Sequence, residues 1–365
     1  MKILLLFASL TLALASPWSA AAADAKKRIL VVSSYHKEYL WSQSTQHGLT
    51  ASLLKYRYLD TQEQADRFTR EDFVESTKAV LKKEWMDTKR RNSRADIAAA
   101  TQRILQSLRD FKPDLVMLGD DNAANYIGNR LLDTPTPVVF WGINGLPLKY
   151  GLVDSIDRPG HNVTGVWQQG YHKESLELLH KLVPTAKSFA ILGCDSETSR
   201  PNVKRLQSLA NQGELPLKLV DVVATNSFEE FKARALAIAG KVDAFFVLNH
   251  DTMTDAAGRH VDMLTVGRWY LENIKKPEAS PEDQFVLEGM LLTANDSGYN
   301  QSHLAFEMAY EILERGLDPG RMRARTPSRG PFMVNTLRAQ MLGLPLEKHR
   351  HQIEELVSTA AALKR

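Results

Sequence analysis

One cysteine, Cys194, serves a chain of 365 residues. That excludes an internal disulfide and a cysteine-built metal cage, and the small-residue stretch around Ala23 holds no cysteine to carry a lipid. Charge of one sign is also scarce. Forty-six Lys and Arg against 43 Asp and Glu leave a formal +3, with no basic stripe interleaved with aromatics, so nucleic acid is not an expected partner. The local basic segments 82–94 and 321–329 read as solvated surface. Low-complexity tracts are missing, and 44% hydrophobic with 24% charged residues is the balance of an ordinary globular protein. No Walker loop, Gly-x-Gly-x-x-Gly or Gly-x-Ser-x-Gly opens a helix, and no Cys–His pair is set for nucleophilic work. Neither an enzyme nor a bound cofactor is expected. His349 and His351, two apart, do not share a helix face, which argues against zinc. The triplet Asn162-Val-Thr has meaning for glycosylation only in a eukaryotic secretory setting.

Long apolar runs are confined to the N-terminus. Lys2 precedes apolar residues 3–15, Ser16 and Pro17 close the run, and Ser19-Ala-Ala-Ala-Ala suits signal peptidase. The run is short of the about 20 residues a membrane span takes. Residues 1–23 are therefore expected to be a cleaved signal peptide, and the mature chain a soluble periplasmic protein.

At this length two lobes are expected, since domains usually run to about 100–200 residues. Strand patterns recur at residues 28–33, 80–86, 115–118 and 138–141, then at 189–192, 217–223, 244–248 and 285–293; 80–86 alternates, and runs such as 28–33 and 115–118 are the short continuous apolar stretches of strands buried on both faces of a parallel sheet. Helical patterns separate them, and each run ends in polar residues. Residues 163–167 and the helix after them, closed by Pro184, lie between the two series and read as a crossover. The expected fold is α/β: two Rossmann-like lobes whose parallel sheets face one another across a cleft. In open α/β sheets, loops at the carboxyl ends of strands line the ligand crevice.

Several segments carry a resemblance: Asn162-Val-Thr-Gly-Val with Leu176-Glu-Leu-Leu-His-Lys-Leu-Val-Pro-Thr-Ala-Lys, Met86-Asp-Thr-Lys-Arg, Lys112-Pro-Asp-Leu-Val with Asp120-Asp-Asn-Ala-Ala, and Val138-Val-Phe-Trp-Gly-Ile-Asn. In this order and spacing they resemble the ABC transporter substrate-binding proteins of the type I periplasmic-binding fold. The resemblance covers nearly the whole mature chain. It implies a first lobe over residues 24–160, rejoined by about 294–320, and a second lobe over 161–293. Residues 321–365 would add a strand and a helix to a lobe the sequence does not name. Hinges are expected near 161–170 and 280–293. The implied partners are a small-molecule ligand and a membrane ABC permease, with a membrane sensor kinase or cyclase as the alternative. The protein is expected to be a monomer.

Candidate ligand contacts sit at the strand ends. Tyr35, Tyr39 and Trp41 offer flat surface to an organic ligand, with Ser34 and His36 as orienting groups, or else pack on their own helix. Asp120, Asp121 and Asn122 either cap a helix or meet a ligand at its start. Asn144 ends the next strand. In the second lobe Asn249, Asp251 and Thr252 are the counterpart, and Asp251 is a candidate anchor for a ligand ammonium. Asn295, Asp296 and Tyr299 lie near a crossover, and Trp167, Asp195, Ser196 and Thr198 are further wall candidates. These groups suggest an amino acid or a similar small amphipathic molecule.

Overall fold

The structure is a computed structural model that describes residues 25–364. The expected signal peptide lies outside the described residues. The first lobe begins with β1 (Lys27–Ser33), α1 (Leu40–Lys55), α2 (Gln62–Glu71), β2 (Phe73–Glu75), β3 (Ala79–Trp85) and α3 (Arg94–Phe111). It continues through β4 (Leu115–Gly119), α4 (Asp120–Tyr126), β5 (Val138–Asn144) and β6 (Val163–Gln168). The second lobe holds α5 (His172–Leu182), β7 (Ser188–Gly193), α6 (Ser199–Asn211), β8 (Lys218–Ala224), α7 (Phe228–Ala239), β9 (Ala244–Val247), α8 (Met263–Asn273), β10 (Glu278–Ser280), α9 (Asp283–Glu288) and β11 (Leu292–Ala294). Then α10 (Gly298–Arg315) returns to the first lobe, and β12 (Phe332–Asn335), α11 (Thr336–Met341) and β13 (Glu355–Val357) complete the second.

The sheets run β2-β3-β1-β4-β5-β6 and β13-β12-β11-β10-β9-β7-β8. β4 and β9 are apolar throughout, and β1 and β7 are apolar over Ile29–Val32 and Phe189–Leu192, because both faces are covered there. Ile29 and Val31 enter the core beneath α1 and α10, while Leu30 and Val32 enter the one that holds Ile104 and Leu108 of α3. Phe189 and Ile191 against Ala190 and Leu192 repeat the arrangement in the second sheet. The return of α10 depends on Gly48 of α1, where an added Cβ would lie 2.1 Å from the Tyr299 carbonyl oxygen. Only glycine permits that approach.

Four expectations are corrected. Residues 163–168 do not open the second lobe; as β6 they pair in parallel with β5, and the chain crosses afterwards, at Gln168–His172. The second crossing lies after 280–293, because β10 and β11 pair with each other inside the second sheet (Ala279 opposite Leu292). A third crossing, unforeseen, precedes β12, whose strand is antiparallel to β11. The C-terminal segment is not an amphipathic helix: β13 pairs in parallel with β12, flanked by short 3-10 turns. Ile353, Val357 and Ala360 keep helical spacing and are all buried, but the open edge of β12 supplies backbone partners that a lone terminal helix would lack. The antiparallel β2, too, falls where a helix was expected; Asp72, left-handed at φ 61, ends α2 before it.

The three crossings are tied to each other. Asp296 accepts from Gly170 N–H (2.7 Å) and from Gln301 Nε2 (2.9 Å). Tyr171 donates to the Pro327 carbonyl (3.1 Å), and Gly330 N–H to that of Asn295 (2.8 Å).

Candidate functional site

The first lobe presents its strand-end loops as a finished surface. Ser34 Oγ donates to the Gly119 carbonyl (2.6 Å) and accepts from Ala123 N–H (2.8 Å), which locks the loop after β1 to the start of α4. The Tyr35 and Tyr39 rings then meet edge to face, centroids 5.2 Å apart. Trp41, in the first turn of α1, donates from Nε1 to Asp120 Oδ1 (2.7 Å). Asp120 itself is left-handed (φ 69). Its carboxylate fits because residue 142 is glycine: at φ 70, a Cβ there would stand 2.4 Å from Oδ1. Asp121 accepts from Asn144 Nδ2 (2.8 Å), Lys149 Nζ (2.9 Å) and the Tyr150 hydroxyl (2.8 Å), all within its own lobe.

The second lobe is less self-sufficient. Asn249 turns its amide nitrogen toward Asp251 Oδ2 (3.3 Å), and Gln284 turns its own toward Glu282 Oε2 (2.6 Å). Carboxylates only accept, so each amide oxygen points away, and both Asn249 Oδ1 and Gln284 Oε1 are buried without a donor. Beneath them His250 Nε2 meets Glu288 Oε1 at 2.8 Å and Nδ1 meets the Leu248 carbonyl at 2.9 Å, bracing the loop from inside the lobe.

The lobes are closed on each other. Lys89, from the loop after β3, reaches Asp251 Oδ2 (2.9 Å) and Thr198 Oγ1 (3.2 Å) in the second lobe, and Tyr39 donates to the same Asp251 oxygen. Asn202 Nδ2 donates to Asn144 Oδ1 (3.0 Å), Ser44 to Asp283 (2.8 Å), and Met263 packs on the Tyr35–Tyr39–Trp41 cluster. Between them remains a chamber of about 10 Å³, walled by Tyr35, Tyr39, Trp41, Asn144 and Gln168 on one side and Thr198, Asn249, Glu282 and Gln284 on the other. That is far below the roughly 300–1,000 Å³ of drug-sized sites, so the closed cleft must open to admit a ligand. A wider polar mouth of about 490 Å³ lies outside it, between Asn122, Arg94 and Tyr126 of one lobe and Asp195, Asn226 and Thr252 of the other.

Burial dominates the electrostatics. It pushes the Asp120 carboxyl well up despite the Trp41 hydrogen bond, with Asp121 adding to the rise. Glu282 rises for the same reason, Asp296 adding repulsion, and burial lifts Asp296 to about 6. Asp251 is the exception: burial would raise it, but Lys89 and the Tyr39 hydroxyl hold it below the usual carboxylate range. Burial keeps Tyr35 and Tyr39 protonated. Among the described residues no group of three or more His, Cys, Asp or Glu side chains is placed to hold a metal, and no helix is long and apolar enough to cross a membrane.

Of the residues expected at the site, Tyr35, Tyr39, Trp41, Asn144 and Asn249 wall the chamber, with Asp120 and Asp251 directly behind them. Asn122, Asp195 and Thr252 line the mouth. His36 sits in the loop before α1, 3.4 Å from Asp87, its imidazole lowered by burial and by Arg90. Ser34 and Asp121 are consumed in bracing the first lobe, and Asn295 accepts from Asp283 N–H (2.9 Å). Asp296 ties crossings. Trp167 packs in the first-lobe core, and Tyr299, 40% exposed, stacks on His303 one helical turn along α10. Neither belongs to the chamber wall. Lys89, Gln168, Glu282 and Gln284 were missed. Lys89 and Gln168 follow or end parallel strands, a signal that was present. Glu282 and Gln284 come after a three-residue strand, too short to register as one.

A family model described as ABC transporter substrate binding protein matches residues 70–356, most of the chain. The tyrosine-binding protein of Clostridioides difficile (strain R20291) is 26% identical over 242 residues, 66% of this chain and 66% of that protein. The chain thus matches just under two thirds of that relative's length. Among solved structures, the ABC domain in complex with L-Trp from Streptococcus pneumonia superposes with TM-score 0.69 at 21% identity, covering 91% of this chain and 100% of that one. The ligand-free, open form of a substrate binding protein with adhesive properties from Clostridium difficile gives 0.64 at 22%, covering 91% and 99%. These likenesses establish the type I periplasmic-binding fold.

Proposed function

The chain belongs to the family of ABC transporter substrate binding proteins, and from that premise we propose that it works in the periplasm, trapping a small organic ligand with an amino group between its lobes and delivering it to an ABC permease. Solute-binding members of this family are not enzymes, and a binding role needs only recognition and closure.

One observation carries the reading. The second-lobe wall offers buried acceptors without donors, Asn249 Oδ1 and Gln284 Oε1, beside the Glu282 carboxylate, and they face two tyrosines and a tryptophan. An ammonium supplies donors to all three, and the rings cover an apolar body. An amino acid, or an amine of that size, has both parts. The relatives whose names mention tyrosine and L-Trp point the same way.

Ligand exchange requires opening, since the closed chamber is small. Hinge bending about the three tied crossings breaks Lys89–Asp251, Lys89–Thr198 and Asn202–Asn144 together, all of which span the lobes. A thermal-shift screen of ligand-stripped protein against amino acids, amines, sugars, nucleobases, polyamines and organic acids tests the reading. A ligand at about a thousandfold excess over its Kd adds about 4 kcal/mol. Stabilisation confined to amino compounds supports it; stabilisation by sugars or organic acids alone defeats it.

A further inference from the structure

We propose that the chamber selects a monocationic amine over the corresponding zwitterionic amino acid, so that the ligand carries an ammonium on a short apolar or aromatic body and no carboxylate. This rests on the reading of the cleft as the ligand site and names the ligand's class.

Hydrogen-bonding capacity on the chamber wall is unbalanced. Acceptors are in surplus: Asn249 Oδ1 and Gln284 Oε1 have no donor, on side chains only 5% and 1% exposed. Nitrogen donors are committed, and only the neutral hydroxyls of Tyr35 and Thr198 on the wall are left to donate. Trp41 Nε1 is used by Asp120, Asn144 Nδ2 by Asp121, and Gln168 Nε2 by the Gly142 carbonyl (3.2 Å). The amide nitrogens of Asn249 and Gln284 face carboxylates, and the Tyr39 hydroxyl and Lys89 ammonium converge on Asp251. A ligand carboxylate placed here would find no free cation or N–H donor and at most two neutral hydroxyls, and leaving a charged group so poorly partnered in a dry site is costly.

Charge gives the same answer independently. Lys89, the ammonium nearest the chamber, is ion-paired with Asp251, so Asp120 and Glu282 beside the cavity have no ion pair of their own and no cation is left to meet a ligand carboxylate. The rings are also suited to a cation: Lys89 Nζ already lies 4.3 Å from the Tyr35 ring centroid and 5.5 Å from that of Tyr39.

Titration calorimetry of the purified protein at pH 7 against three matched probe sets decides the matter: tyramine, tyrosine and 4-hydroxyphenylacetate; tryptamine, tryptophan and indole-3-acetate; isoamylamine, leucine and isovalerate. In at least one set the amine is expected to bind more than about tenfold tighter than its amino acid, the loss of roughly one charged hydrogen bond, with no binding of the acid. Glu282→Gln, whose fold is checked by its unfolding midpoint, should reduce the preference for the amine. An amino acid that binds as tightly as its amine, or tighter, overturns the inference while the amino-ligand reading stands. Binding of the acids alone, or of sugars with every amine silent, overturns both.

Discussion

The two walls of the chamber differ in how their polar groups are satisfied. On the first-lobe wall Asp121 takes three donors from its own lobe and Asp120 takes the Trp41 indole, so the rings are held in place before any ligand arrives. On the second-lobe wall Asn249 and Gln284 keep bare acceptors, and Asp251, besides a long contact from Asn249 in its own lobe, takes its charged and its hydroxyl donor, Lys89 and Tyr39, from across the cleft. One wall supplies shape and the other supplies demand. Closure is therefore favoured by whatever brings donors to the second wall, and in the closed form seen here Lys89 and Tyr39 supply part of them.

Breaking the Lys89–Asp251 contact should have the largest effect. Asp251→Ala leaves a buried lysine unpaired in the closed state, a loss of about 3–5 kcal/mol, but in the open state water solvates Lys89. The cost should thus fall on closure: small-angle scattering should show an expanded particle, ligand affinity should drop more than about a hundredfold, and the unfolding midpoint should barely move. A compact particle with full affinity would show that the cleft closes through other contacts.

Trp41→Ala attacks the finished wall. Removing a buried tryptophan costs about 3–5 kcal/mol and leaves Asp120 without its donor, so denaturant unfolding should register the change together with weaker binding. If binding falls but stability holds, the first wall is less self-supporting than its hydrogen bonds imply.

Asn249→Ala and Gln284→Ala should do the reverse. Each removes an acceptor awaiting a ligand, so calorimetry should record a loss of about 1–3 kcal/mol in binding with unfolding unchanged. Loss of stability instead would mean these amides brace the lobe.

A pH titration examines what lies under the second wall. Burial alone would depress the His250 imidazole, but the Glu288 carboxylate and the Leu248 carbonyl outweigh it and lift it to about 9. A folded-state value above the unfolded one of about 6.5 means stability fully present below about pH 6.5 and lost as pH rises through about 9. Urea unfolding from pH 6 to 10 should show that decline, and His250→Gln should remove it. The smallest effect is expected of Tyr299→Ala, which lies outside the chamber: within about 0.5 kcal/mol in stability, with unaltered affinity.

How much of this was legible in the chain depends on which residues set it. The alternation of apolar runs and helices is local, because strands such as β1 and β7 are covered on both faces and must be apolar through their middles, Ile29–Val32 and Phe189–Leu192. The polar ends of those strands fall at one edge for the same reason, so Tyr35, Tyr39, Trp41, Asn144 and Asn249 were found from sequence. The three-residue strands β10 and β13 were not, and the strand expected over 285–293 divides into the end of α9 and the start of β11, since so few residues carry no periodicity and are fixed by neighbouring strands instead. Asp120, Asp121, Asp251 and Asp296 look alike in the chain, each an acid just past a buried run. Tertiary structure alone made one a support for Trp41, one a brace, one half of an inter-lobe pair and one a tie between crossings, because a carboxylate's role is set by the donors that distant segments bring to it.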